Sequence, residues 1–125
     1  MPAKPRVLVV EDDPESYQAL SKILKHVGYE VFTAPTLAAG ADLLGSEPRF
    51  VVLDLMLPDG NGKELLRDIR DRRLPIKVAV LTAVSDPNLL EEVRQLGPDA
   101  LFGKPVDVPR LLAWLRQGGA GPSDL

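Results

Sequence analysis

Four short stretches of the chain are apolar without interruption: Val7-Leu8-Val9-Val10, Phe50-Val51-Val52-Leu53, Val78-Ala79-Val80-Leu81 and Ala100-Leu101-Phe102. A run with no polar alternation predicts a strand buried on both faces, as in a parallel α/β sheet. Tyr29-Glu30-Val31-Phe32-Thr33 alternates instead, which predicts a half-exposed strand at a sheet edge. Between these runs the apolar positions switch to helical spacing. Tyr17, Leu20, Leu24 and Val27 follow the cap-and-proline pair Asp13-Pro14 and stop at Gly28. Thr36 can cap an Ala-rich second helix running to about Leu44, with Gly40 inside it. Leu65, Leu66 and Ile69 form the inner face of a third helix whose outer face, Lys63 to Arg72, is charged. Asp86-Pro87 opens a fourth with Leu89, Val93 and Leu96 inward, closed by Gly97-Pro98, and Asp107 caps a fifth with Val108, Leu111, Leu112 and Leu115 inward. Strand and helix alternate throughout, which predicts one doubly wound α/β domain with a parallel sheet and helices on both faces. The expected domain covers 1–117, with 118–125 as a flexible Gly-rich tail or the start of a linker.

Composition narrows the function without naming it. The chain has 125 residues, 45% of them hydrophobic and 26% charged, the balance of a folded soluble domain. A net charge of −3 gives no basic field for a nucleic acid backbone. No apolar stretch approaches the roughly 20 residues that span a bilayer, and Met1 to Arg6 lacks the apolar centre of a signal peptide. There is no cysteine, which excludes disulfides, thiol nucleophiles and thiolate metal sites, and the single histidine, His26, cannot build a multi-histidine site. A cytoplasmic protein without direct nucleic-acid or membrane contacts is the expectation.

Chemistry gathers at the strand ends. In a parallel sheet the carboxyl ends share one edge, which is where open α/β sheets bind their ligands. The residues at those ends are Glu11-Asp12-Asp13, Asp54, Thr82 and Lys104. Taken singly, each has an ordinary structural reading as a cap, turn or surface-loop residue. Together they make a cluster of carboxylates that repel one another unless a cation neutralises them. An all-oxygen donor set suits Mg²⁺, and a lysine and a threonine hydroxyl beside it suit phosphoryl oxygens. The set reads as a phosphoryl-transfer site with a carboxylate nucleophile.

Val-Val-Glu11-Asp12-Asp13, Leu-Asp54-Leu-Met-Leu-Pro58-Asp59-Gly60-Asn61-Gly62, Leu-Thr82-Ala83 and Lys104-Pro105 resemble the motifs of the receiver domain of bacterial two-component response regulators, from Val7 to about Leu115. The resemblance implies a flavodoxin-like (βα)5 fold with a five-stranded sheet in the order 2-1-3-4-5. It implies that Asp54 accepts a phosphoryl group from a histidine kinase's phosphohistidine. Asp12, Asp54 and the backbone carbonyl of Met56 would hold Mg²⁺, with Glu11 acting through water and Asp13 serving as a helix cap. Lys104 would pair with the acyl phosphate and Thr82 would hydrogen-bond it. The Lys104–Pro105 bond is expected to be cis, and Gly62 to let the loop turn before the third helix. Implied partners are a sensor histidine kinase or phosphotransfer protein and a downstream effector protein or domain, with a homodimer through the face of the fourth helix, fifth strand and fifth helix. Such a domain is not a turnover enzyme, although it assists its own phosphorylation and dephosphorylation.

One position departs from the family pattern. Three residues before the lysine, where many receivers carry a Tyr or Phe that turns inward on activation, stands Leu101. Phe102 is adjacent, but strand alternation turns it to the opposite side. Three rival readings follow from the same residues. A haloacid-dehalogenase-type phosphatase needs a second Asp two residues after the nucleophile, where this chain has Met56. A flavodoxin-like electron carrier needs a Ser/Thr/Gly-rich loop after the first strand, where Glu11-Asp12-Asp13 would repel a flavin phosphate. A degenerate receiver, acting as a phosphorylation-independent interaction module, is compatible with Leu101. Nothing after Leu115 has the pattern of an output domain, which leaves a free-standing receiver or one cut from a longer regulator.

Overall fold

A computed structural model describes residues 4–83 and 85–120. Five parallel strands form its sheet: β1 (Arg6–Val10), β2 (Glu30–Ala34), β3 (Phe50–Asp54), β6 (Lys77–Thr82) and β7 (Ala100–Gly103). They lie in the order β2-β1-β3-β6-β7. Counting these five strands alone, this is the order 2-1-3-4-5. Residues 118–120 fall within the described part, and the rest of the expected tail, 121–125, lies outside it, as do residues 1–3 of the N-terminal segment.

The uninterrupted apolar strands do carry two cores. Leu8, Val10, Val51, Leu53, Val78, Val80 and Leu101 point to one face, where they meet Leu65, Leu66 and Ile69 of α3 (Lys63–Asp71) and Val93 of α4 (Pro87–Gln95). Val7, Val9, Phe50, Val52, Ala79, Leu81 and Phe102 point to the other, against α1 (Pro14–His26) and α5 (Val108–Arg116). The two-residue period of the strand therefore sends Leu101 and Phe102 into opposite cores, as expected. The short α2 (Leu37–Leu43) completes the first layer, and edge strand β2 is only partly buried except at Ala34.

Local chemistry sets the helix starts. Asp13, Asp86 and Asp107 each accept a backbone N–H in the first turn, from Ser16, Asn88 and Arg110, and each is followed closely by a proline. Thr36 caps α2 through the Ala39 N–H.

Several expectations shift in detail. On α4 it is Leu90, not Leu89, that packs on the core with Val93 and Leu96. The outer face of α3 is not uniformly solvated. Arg70 reaches across to Asp99 at 2.7 Å and donates to the carbonyls of Ile76 and Gly97, joining α3 to the ends of two neighbouring segments. On α5 the inward face includes Trp114, fully buried against Phe50 with ring centroids 5.7 Å apart. Gly118 and Gly119, which the sequence pattern assigns to the tail, close this helix through N–H bonds to the Leu115 and Trp114 carbonyls at positive φ.

Candidate functional site

Register brings the strand ends together. Val10 pairs with Leu53, Asp54 with Leu81, and Thr82 with Gly103, so Glu11, Asp54, Thr82 and Lys104 emerge side by side at one edge. Glu11 is held there by its N–H bond to the Ala34 carbonyl at 3.0 Å, and Lys104 by its N–H bond to the Thr82 carbonyl at 2.9 Å. Glu11, Asp54 and Thr82 are 5%, 4% and 2% exposed, which makes this a buried polar cluster, whereas Asp12 is exposed.

Lys104 links the buried carboxylates. Its ammonium lies 2.8 Å from Asp54 Oδ2, and 3.1 and 3.3 Å from the two oxygens of Glu11. The Met56 N–H donates to the other Asp54 oxygen at 3.3 Å. Burial, aided by the neighbouring Asp54, pushes the Glu11 carboxyl up to about 7, against the pull of Lys104. Desolvation works against the Lys104 ammonium, but the hydrogen bonds it donates to Asp54 and Glu11 outweigh it and hold its pKa above the ordinary lysine value.

The donor atoms of Glu11, Asp12 and Asp54 lie within 4.8 Å of one another. Three carboxylates this close form an all-oxygen donor set of the kind Mg²⁺ takes, directly or through its retained waters.

Between Asp54 and α3 the chain forms a small antiparallel hairpin, β4 (Met56–Leu57) and β5 (Gly60–Asn61). Sequence reading gives this stretch only as a turn, because two-residue strands leave no periodicity. Gly62 closes its base with an N–H bond to the Leu55 carbonyl at 2.7 Å. Any Cβ at Gly62 would collide with the Asp54 carbonyl oxygen, so glycine is required here by close approach and not by a positive φ. The Lys104–Pro105 peptide is cis, as expected. An apolar cleft of about 250 Å³ flanks the same edge between α1 and the β7–α5 loop, with Glu11 and Lys104 among its lining residues.

The response regulator receiver domain model matches residues 7–116. The chain belongs to this family. Its relatives include the KDP operon transcriptional regulatory protein KdpE of Escherichia coli, 36% identical over 88% of this receiver and 49% of that protein. Another is the sporulation initiation phosphotransferase F of Bacillus subtilis, 27% identical over 85% and 86% of the two chains. A CheY-like receiver domain protein from Methanospirillum hungatei superimposes with a TM-score of 0.87 at 29% identity, covering 94% of each chain. A Burkholderia pseudomallei response regulator with a phosphorylated aspartic acid and a calcium ion superimposes at 0.82 with 26% identity, covering 93% of this receiver and 69% of that chain. Against regulators such as KdpE and the Rhodovulum sulfidophilum regulatory protein RegA, the receiver spans about half to two-thirds of their length, 49% and 63%. Among the described residues no helix is long and apolar enough to cross a membrane.

Proposed function

We propose that this receiver accepts a phosphoryl group on Asp54, in a site where Mg²⁺ is held by Asp12, Asp54 and the Met56 backbone carbonyl, with Glu11 contributing through water. The observation that carries this reading is the buried Asp54 carboxylate, 2.8 Å from the Lys104 ammonium and grouped with Glu11 and Asp12. Bound Mg²⁺ would neutralise the carboxylates and the phosphoryl oxygens. Asp54 Oδ attacks phosphorus, the P–N bond to the donor imidazole breaks, and the ring leaves with the electron pair and takes up a proton. The product is an acyl phosphate on Asp54. Lys104 then exchanges carboxylate contacts for phosphoryl ones, and the buried Thr82 side chain, at the end of β6, is the proposed hydroxyl partner of the same group.

The Burkholderia protein carries a phosphorylated aspartic acid, and the beryllofluoride-activated receiver of DrrB superimposes with a TM-score of 0.78 at 33% identity. These support an aspartyl phosphate here. A sensor histidine kinase or phosphotransfer protein is the proposed donor. A downstream effector protein or domain is the proposed output partner, with self-association through α4, β7 and α5 as a phosphorylation-dependent output. Intact-protein mass after incubation with acetyl phosphate tests the chemistry. A single phosphoryl adduct that needs both Mg²⁺ and Asp54 is expected, and Asp54→Asn or chelation should abolish it. An unlabelled wild type that is also unchanged by beryllofluoride would return the case to a phosphorylation-independent binding module.

A further inference from the structure

Asp59 sits at the tip of the β4–β5 hairpin, yet both of its carboxylate oxygens are engaged elsewhere. Oδ1 accepts the Leu37 N–H at 2.8 Å and Oδ2 accepts the Ala38 N–H at 3.0 Å, at the start of α2. Together with Thr36 Oγ1 on the Ala39 N–H at 3.1 Å, this satisfies the first three amides of the helix. One of those caps is local to α2. The other comes from a different part of the chain, more than twenty residues away.

The hairpin needs such an anchor. Its ladder consists of two residue pairs, Met56 with Asn61 and Leu57 with Gly60. A two-stranded ribbon of this length is not stable by itself. Its base is tied by Gly62 to Leu55 and by the Lys63 N–H to Asn61 Oδ1 at 2.9 Å. At the other end, Asp59 is joined by Gly60, whose backbone packs so closely on Leu37 that a Cβ there would stand 2.9 Å from Leu37 Cδ1. The start of α2 is itself fixed to the site, because Ala34 at the end of β2 accepts the Glu11 N–H.

We infer that Asp59 is a positioning residue for metal binding: by clamping the hairpin tip to α2, it sets the place of Met56 relative to Glu11, Asp12 and Asp54. The inference rests on the assignment of the Met56 carbonyl to Mg²⁺ proposed above. Asp59 does not touch the reacting atoms. It converts a marginal ribbon into one held at both ends.

Three variants separate this role from simple helix capping. Asp59→Ala removes both inter-element bonds, Asp59→Asn keeps one acceptor oxygen, and Thr36→Ala removes only the local cap of the same helix. Backbone-amide NMR of the whole chain is recorded during Mg²⁺ titration, and amide exchange at Leu37 and Ala38 is measured in chelator. In Asp59→Ala the Mg²⁺ concentration at half-maximal shift should rise about tenfold, the low end of what supporting partners contribute to metal affinity. Exchange at Leu37 and Ala38 should accelerate, Asp59→Asn should fall between, and Thr36→Ala should keep the wild-type midpoint. An unchanged midpoint in Asp59→Ala, or an equal rise in Thr36→Ala, overturns the inference. A wild type whose Glu11 to Asp13 and Met56 amides do not respond to Mg²⁺ overturns the metal-site reading beneath it.

Discussion

Metal-free receiver should lose stability as pH rises from about 5 to 7, and Glu11 is the reason. Its carboxyl lies near the ordinary 4.5 in the unfolded chain and is pushed up to about 7 in the fold by burial and by Asp54. A carboxyl raised on folding binds more protons in the native state, so its contribution is fully present below pH 4.5 and is lost as pH passes through 7. Each pKa unit is worth about 1.4 kcal/mol, so the loss is on the order of 3 kcal/mol. The groups facing Glu11 are Asp54, which adds to the rise, Lys104, which opposes it, and the exposed Asp12 in the same donor set. With a urea slope of about 2 kcal/mol per molar, the denaturation midpoint should fall by about 1.5 M between pH 5 and pH 8 in chelator. Glu11→Gln, neutral at every pH, should flatten that part of the curve, and it should be more stable than wild type at pH 8. Saturating Mg²⁺ should restore wild type more at pH 8 than at pH 5, because cation binding needs the charged carboxylate. Parallel wild-type and Glu11→Gln curves across this range would refute the reasoning.

Below pH 5 the sign reverses. Asp59, held low by its bonds to the Leu37 and Ala38 amides, stabilises the fold above the ordinary carboxyl pKa and loses that contribution as pH falls through its depressed value, so Asp59→Asn should show a shallower acid limb in circular dichroism. Gly62→Ala should cost several kcal/mol or prevent folding, because its methyl would enter the Asp54 carbonyl, and the loss should appear in thermal unfolding even without Mg²⁺. Leu101→Ala should cost about 2–5 kcal/mol, as expected for a fully packed core leucine, whereas acetyl phosphate labelling of the folded fraction should persist. Asp99→Ala should be less stable by about 2–3 kcal/mol in urea unfolding, since the Val78 N–H and the Arg70 guanidinium would both lose their carboxylate partner.

The fold was legible because its strands are buried on both faces, a condition that leaves uninterrupted apolar runs in the sequence. The strand ends were legible for the same reason: three of the runs halt abruptly at Glu11, Asp54 and Thr82, and the fourth reaches Lys104 after Gly103. What escaped reading has no periodic trace. The β4–β5 hairpin is too short for a pattern, and its anchor, Asp59 on α2, joins residues 21 and 22 positions apart. Arg70 looked like one more charge on a solvated helix face, because its three partners, at Ile76, Gly97 and Asp99, come from loops whose proximity only the fold creates. Leu89 and Leu90 are neighbours in sequence and stand four and three residues before Val93, so either fits a helical face through Val93 and only the packing decides between them. The reason for Gly62 lay in the backbone of Asp54, eight residues earlier, and no turn propensity could disclose it.

The position of Lys104 bears on how phosphorylation could be felt elsewhere. A lysine ammonium has three donors, and this one already meets Glu11 Oε1, Glu11 Oε2 and Asp54 Oδ2. Any bond it makes to a phosphoryl oxygen is therefore an exchange, and the carboxylate it leaves must find another cation. Glu11, Asp12 and Asp54 against Lys104 give the charged site about −2, and converting Asp54 to an acyl phosphate takes it to about −3 at neutral pH. Were Asp54 phosphorylated as proposed, that increment would fall on a largely buried cluster, where a divalent cation would offset it. Leu101 is already buried in the core shared with α3 and α4, so no side chain at that position needs to turn inward when the site is charged. At the end of β6 the Thr82 carbonyl accepts the Lys104 N–H, and Asp86, four residues further along the sequence, caps α4.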